Sequence, residues 1–434
     1  MVNVTITESG LLRLKTLASL MKNKETDLLF IEAEENKLHA YYYAQIDGMA
    51  LKVPIDGLVH SPGLVAGDKK LIDIIINAGR EQVVIKENEK TYSIKGRHQY
   101  RTTKHEFALE SFSNIKDILN LEDAKEIGSF DPNFIPKLAK IISLAHQYAD
   151  KNAASKFHGI FLTSIDNNFL VCGGNPGYFF YYKANYKGEG KIIIPYDEVA
   201  TTVKVLTNFT PTTIKANDRS FFLVDEDFIF AAPQSALEYP EIEDVIKRTS
   251  HKEIYSLEIT VTKDVLTEIG DAIKPTIKYD TQMPIRLFGE EITYDAGEPQ
   301  SEIEITVKRE FIEDPEEIDF SSKLEYDLID PKAPFVSRVI PFEPVYRFAK
   351  FFKRDVVLSL YLQNAASLAP FNMVKYTNGE EELVVLLASI KAPTDNKYLE
   401  EDNEGEANNN NGSSNNSDIN DSNNANYASN NVTT

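Results

Sequence analysis

A chain of 434 residues with 46 Lys and Arg against 67 Asp and Glu carries a formal charge of −21, and its 42% hydrophobic content suffices for about three domains of roughly 150 residues. A single cysteine, Cys172, excludes an internal disulfide framework, a CxxC redox pair and any multi-cysteine zinc or iron–sulfur centre, and fits a reducing cytoplasm. No apolar run reaches the roughly 18 residues of a membrane span, the opening MVNVTITESG lacks the order of a secretory signal, and an acidic charge spread evenly argues against nucleic acid.

In chain order, the first predicted helix covers 8–24. A second covers 68–80, where Gly67-Asp68 opens a run with Leu71, Ile74, Ile75 and Ala78 on one face. EQVVIKE and KTYSIKG follow as strands. A third helix is predicted over 133–151. The strand KIIIP then ends at Pro195, and Asp197 and Glu198 begin a helix over 197–208 with Val199, Val203 and Leu206 inward. TTIKA, SFFLVDE and DFIFAA are strands. After a helix over 263–274, VSRVIP ends at Pro341, and a helix over 342–354 places Val345, Phe348, Ala349 and Phe352 on one face. VVLSLYL, FNMVKY and EELVVLLASI close the pattern as strands whose alternation indicates antiparallel sheet.

The same order of helix, strands, helix, strands occurs three times, which predicts three α+β domains at 1–124, 125–250 and 251–392. Residues 393–434 contain 14 Asn, almost no large apolar side chains and a net charge of −7, so they are expected to be disordered.

Charge is not spread evenly. The six helices sum to +7 and the tail to −7, leaving −21 elsewhere. Arg347, Lys350 and Arg354 are spaced i, i+3, i+7, opposite the apolar face of the last helix. Such faces are either plainly solvated or suited to sequence-independent contact with phosphates; nothing in them reads base edges.

The stretches FHGIFLTSIDNNFLVCGGNPGYFFYYK, GKIIIPYDEVATTVKVL and DEDFIFAAPQSALEYPEIEDVIKR resemble the central domain of the bacterial β sliding clamp, the beta subunit family of DNA polymerase III. GDKKLIDIIINAG with YSIKGRHQYRTTKHEFALESF resembles the first domain, and VIPFEPVYRFAKFF with ELVVLLASI the last, so the likeness spans about 390 of the 434 residues. The resemblance implies three repeated DNA-clamp (processivity-fold) domains, with helices lining a ring and antiparallel sheets outside. It implies a non-catalytic processivity factor without cofactors, a head-to-tail homodimer that encircles double-stranded DNA in the cytoplasm, at the nucleoid or replication site. Partners would be DNA polymerase, the clamp loader and other proteins with a clamp-binding motif, with no membrane. A few of Arg13, Lys15, Lys69, Lys70, Lys137, Lys140, Arg347, Lys350 and Arg354 would meet the duplex. Tyr100 and its neighbours would form part of the head-to-tail edge.

The resemblance also implies a partner-peptide pocket built from Gly177, Tyr178, Phe180, Pro240, Val245, Leu386, Leu387 and Ala388. Here the sequence departs from the family. Gly177-Tyr178-Phe179 replaces a Gly-His-Arg run after an inserted Asn175-Pro176, the last strand reads Leu386-Leu387-Ala388-Ser389-Ile390, and the chain runs on into the Asn-rich tail. That tail is expected to act as a solubilising spacer or to screen the pocket, and the divergence fits a phage or plasmid clamp as readily as a chromosomal one.

Enzyme readings find little support. The seven histidines contain no helical i, i+3 or i, i+4 pair for a metal, Gly173-Gly174-Asn175-Pro176-Gly177 meets neither phosphate-loop pattern, and no GxSxG elbow occurs. His146 is expected to be a polar surface residue and Glu313-Asp314-Pro315-Glu316-Glu317 a solvated loop. The alternative to a clamp is a tandem β-rich scaffold or binding protein that does not encircle DNA.

Overall fold

The computed structural model describes residues 1–22, 26–104, 106–165, 167–186, 188–276, 283–289, 293–295, 298–300, 302–306, 321–325, 327–328, 337–363 and 371–388. The expected disordered tail and the acidic run at 313–317 lie outside the described residues.

Strand residues lead directly into helices, and the residue at each join supplies the reason. Thr7 follows the strand Asn3–Thr7, and its hydroxyl accepts from the Gly10 N–H at 3.5 Å to open α1 (Glu8–Leu20). Asp68 does the same for Leu71 at 3.3 Å at the start of α2 (Lys69–Ala78). Two helices unforeseen in the sequence come next or later: α3 (Glu106–Ile118) and α6 (Ile242–Thr249). Between them lie α4 (Ile135–Tyr148), with Pro136 in its first turn, and α5 (Tyr196–Phe209), entered through Pro195. Thr262 caps α7 (Lys263–Ile273) as Thr7 caps α1, and α8 (Glu343–Phe351) has Pro344 in its first turn, as α4 has Pro136. The last helix stops three residues early, leaving Phe352 extended and Arg354 beyond its end.

All strand pairs are antiparallel, and two large sheets are continuous across repeats. One eight-stranded sheet runs Lys125–Ser129, Thr213–Ala216, Ser220–Asp225, Phe228–Pro233, then Met49–Pro54, Leu38–Ala44, Asp27–Ala33 and Gly63–Asp68. The join pairs Phe230 with Leu51. A nine-stranded sheet runs Gly190–Ile194, Ile160–Ile165, Asn168–Asn175, Tyr178–Asn185, then Glu381–Leu387, Asn372–Asn378, Val357–Leu362, Leu257–Thr262 and Asp327–Leu328, joined where Phe180 pairs with Val385. At the ends of the chain order stand a five-stranded sheet (Gly57–Ser61, Asn3–Thr7, Gln82–Glu87, Thr91–Lys95, Gln99–Thr103) and a four-stranded one (Ser321–Glu325, Glu302–Thr306, Pro284–Gly289, Ser337–Pro341). The fold class is therefore α+β with antiparallel sheets. Among the described residues no helix is long and apolar enough to cross a membrane.

Three helix pairs, α1 with α2, α4 with α5 and α7 with α8, lie on the same core as one face of these sheets. Strand alternation decides which side chains join it: Leu29 and Ile31 face the helices, while Leu28 and Phe30 face away. That other face would be an exposed apolar surface without α3 and α6. Ile115 and Phe112 of α3 cover Phe30 and Tyr41, with ring centroids 5.2 and 5.1 Å from Phe112, and Ile242 of α6 covers Phe179, Tyr181 and Leu386. Full burial of a side chain such as Ile242 contributes roughly 1.5–3 kcal/mol.

Candidate functional site

Nine helix cations are expected to face DNA, and the structure divides them. Arg13 donates to the Pro54 carbonyl at 3.0 Å, and Lys69 to the Ala18 carbonyl at 3.5 Å. Lys137 is ion-paired with Glu381, which also accepts from the Tyr182 hydroxyl at 3.1 Å. Arg347 bonds Glu343 through Nε at 3.0 Å, reaches the Gln147 carbonyl, and lies 5.5 Å from the centre of the Tyr148 ring. Lys350 pairs with Asp271 at 3.0 Å and touches the Tyr346 hydroxyl. Contacts with Tyr346 and Asp271 raise the Lys350 ammonium, and those with Tyr346 and Lys350 lower the Asp271 carboxyl. By contrast Lys15, Lys70, Lys140 and Arg354 are exposed and have no ion pair or hydrogen bond among the described residues. A cation already held by a carboxylate presents little net field to a phosphate, so these four carry most of the available charge. Arg354 acts from the segment after α8 and not from the helix face.

Acid also lies beside the helices. Lys22 sits 3.5 Å from Asp47 and 3.9 Å from Glu198 in the first turn of α5. Glu198 is buried and its Oε2 has no hydrogen-bond partner; burial raises its carboxyl above the ordinary range, and Lys22 only partly offsets this. His146 is half-buried with its ring 4.2 Å from that of Tyr196, and burial lowers its imidazole, so it is not the plain surface residue expected.

The eight expected pocket residues do not share one face. Gly177 and Ala388 meet edge to edge, the Ala388 N–H donating to the Gly177 carbonyl at 2.9 Å. Tyr178, Phe180 and Leu387 turn toward the helices, where Tyr148 of α4 stacks on Phe180 at 5.4 Å. Phe180 and Leu387 are fully buried core residues and cannot line an outer groove; period-two alternation puts them on the wrong side of the sheet. Leu386 and Val245 lie on the outer side, Leu386 fully buried and Val245 half-buried, with Pro240 half-buried in the segment before α6.

Sequence reasoning missed the residues that build that outer surface. Phe157, Phe161, Phe179, Tyr239, Met373 and Phe371 surround Leu386 and Val245. The register pairs Phe161 with Cys172 and Cys172 with Tyr181, so one row of outward positions carries three of the largest contacts. Counting parity along NFLVCGGN and YFFYYKAN would have selected Phe179 and Tyr181 over Phe180. Cys172 is buried, and burial raises its thiol. Among the described residues no three His, Cys, Asp or Glu side chains are placed to hold a metal ion.

A second cationic region lies outside the helix inventory. Residues 80–104 carry a net +4, and in the five-stranded sheet Lys86, Ser93 and Arg101 share one row. Beside them Arg80, Lys95, Arg97 and His98 line an open concavity of about 790 Å³. Tyr100, on the outermost strand of that sheet, is 37% exposed. The segment that holds the four-stranded sheet, 284–341, carries a net −9.

No family model and no curated sequence matches the chain. Solved structures do. The β sliding clamp of C. crescentus aligns with a TM-score of 0.69 at 12% identity, the beta subunit from the DNA polymerase of Streptococcus pyogenes with 0.67 at 11%, and the DNA polymerase III beta subunit of Thermotoga maritima with 0.64 at 12%. Each alignment covers 90% of this chain and 100% of the other. Helix pairs, continuous sheets and chain order together make this the β sliding-clamp fold.

Proposed function

We propose that this chain is a DNA sliding clamp, a non-catalytic ring that encircles duplex DNA and tethers the replicative polymerase and other partners. The observation that carries the reading is the match of the clamp fold along the whole length of solved clamps, with the three helix pairs in the same order. The exposed cations Lys15, Lys70, Lys140 and Arg354 suit loose, sequence-independent phosphate contact, while the acidic remainder of the chain disfavours DNA elsewhere. A ring held by topology needs few such contacts.

Closure by a second copy, head to tail, is supported by charge. The end of the chain order with residues 80–104 is basic and the end with 284–341 is acidic, so one copy's first sheet complements another's last. The three repeats correspond to 1–124, 125–250 and 251–392. A clamp loader opens such a ring, partner proteins dock on the outer face of the nine-stranded sheet, and the cytoplasmic replication site is the place of action.

The test uses protein isolated on nicked circular duplex. Cutting the circle once should release the protein within its sliding time while uncut circles retain it. Equal loss from cut and uncut circles would sink the proposal, and a monomeric particle without a hole would favour a β-rich scaffold instead.

A further inference from the structure

We infer that Tyr239 is a removable plug in an aromatic cage on the outer face of the nine-stranded sheet, and that the cage takes an aromatic or leucine side chain of a linear peptide from a partner. The inference rests on the reading of that face as the partner groove. The Tyr239 ring lies parallel to Phe161, with centroids 5.0 Å and planes 7° apart, and meets Phe157 edge-on at 5.9 Å and 84°. Its hydroxyl is enclosed and has no hydrogen-bond partner. The closed position therefore leaves a polar group desolvated without compensation, which a phenylalanine or leucine in the same cage avoids.

The segment that carries the ring is lightly tied. From Glu238 to Pro240 no main-chain hydrogen bond holds it to a neighbour; its nearest anchors are the Ser235 N–H, which donates to the Ile193 carbonyl at 3.0 Å, and Ile242 at the start of α6. Leu237 beside it is 38% exposed. The chief attachment of the strap is thus one ring whose polar end is unsatisfied. Glu238, Glu241, Glu243 and Asp244 are exposed around the cage, which favours a peptide with a basic flank.

The test compares the full chain with Tyr239→Phe and Tyr239→Ala, using hydrogen exchange over residues 236–246 and calorimetric titration with the amide of N-acetyl-Leu-Phe. Removing the orphaned hydroxyl should slow exchange in Tyr239→Phe by about tenfold. Emptying the cage should let Tyr239→Ala bind the dipeptide about tenfold more tightly than the parent, whose cage is open only part of the time. Exchange in Tyr239→Phe that is unchanged or faster overturns the plug, as does a natively folded Tyr239→Ala with no gain in affinity. If Tyr239→Ala does not fold, the Tyr239→Phe exchange decides alone. Retention on circular DNA does not involve Tyr239, so its failure would strike the clamp reading and leave this one to its own result.

Discussion

The guanidinium of Arg347 donates to the main-chain carbonyl of Gln147, joining α8 to the end of α4 beneath the Tyr148 ring. The Tyr148 hydroxyl returns the connection by donating to the Pro344 carbonyl at 2.8 Å. An arginine placed by sequence among DNA contacts is thus part of the join between two helix pairs.

Arg347→Ala should therefore cost stability more than DNA affinity. Loss of its charge-assisted bonds predicts about 1.5–3 kcal/mol of destabilisation in denaturant titration, with the salt slope of DNA binding nearly unchanged. The combined Lys15→Ala, Lys70→Ala, Lys140→Ala and Arg354→Ala variant should behave oppositely. Its slope of log affinity against log salt should fall by about 0.9 for each contact removed, while its midpoint in denaturant stays close to that of the parent. The same slope in both proteins would reject the division of cations.

Gly270 of α7 permits the close approach of α8. A Cβ there would meet Tyr346 Cδ2 at 2.0 Å, and Tyr346 is buried. Gly270→Ala should destabilise by about 1–3 kcal/mol despite the better helix propensity of alanine, and Tyr346→Ala in the same chain should remove most of that increment. Thermal unfolding of the two single variants and the double variant gives the coupling; simple additivity would show that the contact does not limit helix spacing.

Glu198→Gln addresses the buried carboxyl between α1 and α5. In the folded chain its proton is held to higher pH than the ordinary 4.5, chiefly because burial disfavours the charge. Between those two values the folded state binds more protons, so stability falls as pH rises through the window and the penalty is complete at neutral pH. The glutamine variant should melt higher than the parent at neutral pH and equally well below 4.5. A lower melting temperature at neutral pH would mean that the 3.9 Å contact with Lys22 outweighs desolvation.

Head-to-tail closure should be electrostatic. Arg97→Glu with Arg101→Glu should weaken self-association in sedimentation by at least about tenfold at low salt, and combining them with Glu302→Lys and Glu304→Lys should restore much of it. Rescue fails if the basic and acidic ends do not meet.

Much of the architecture was legible along the chain. Helix starts at Glu8, Lys69 and Lys263 follow from Thr7, Asp68 and Thr262, whose side chains cap locally, and the strands announce themselves by alternation. Local hydrogen bonding and periodicity need no partner distant in sequence, so the sequence by itself determined the order of elements and their threefold recurrence. The tertiary structure alone decided which side of a strand is outside, and hence that Phe179 and Phe161 build the outer surface while Phe180 is core. It alone decided which cations are free, because Glu381 and Asp271 reach Lys137 and Lys350 from residues 244 and 79 positions away. Charge counted along a helix cannot see a carboxylate that arrives through space, and the function proposed here depends on those four cations left without one.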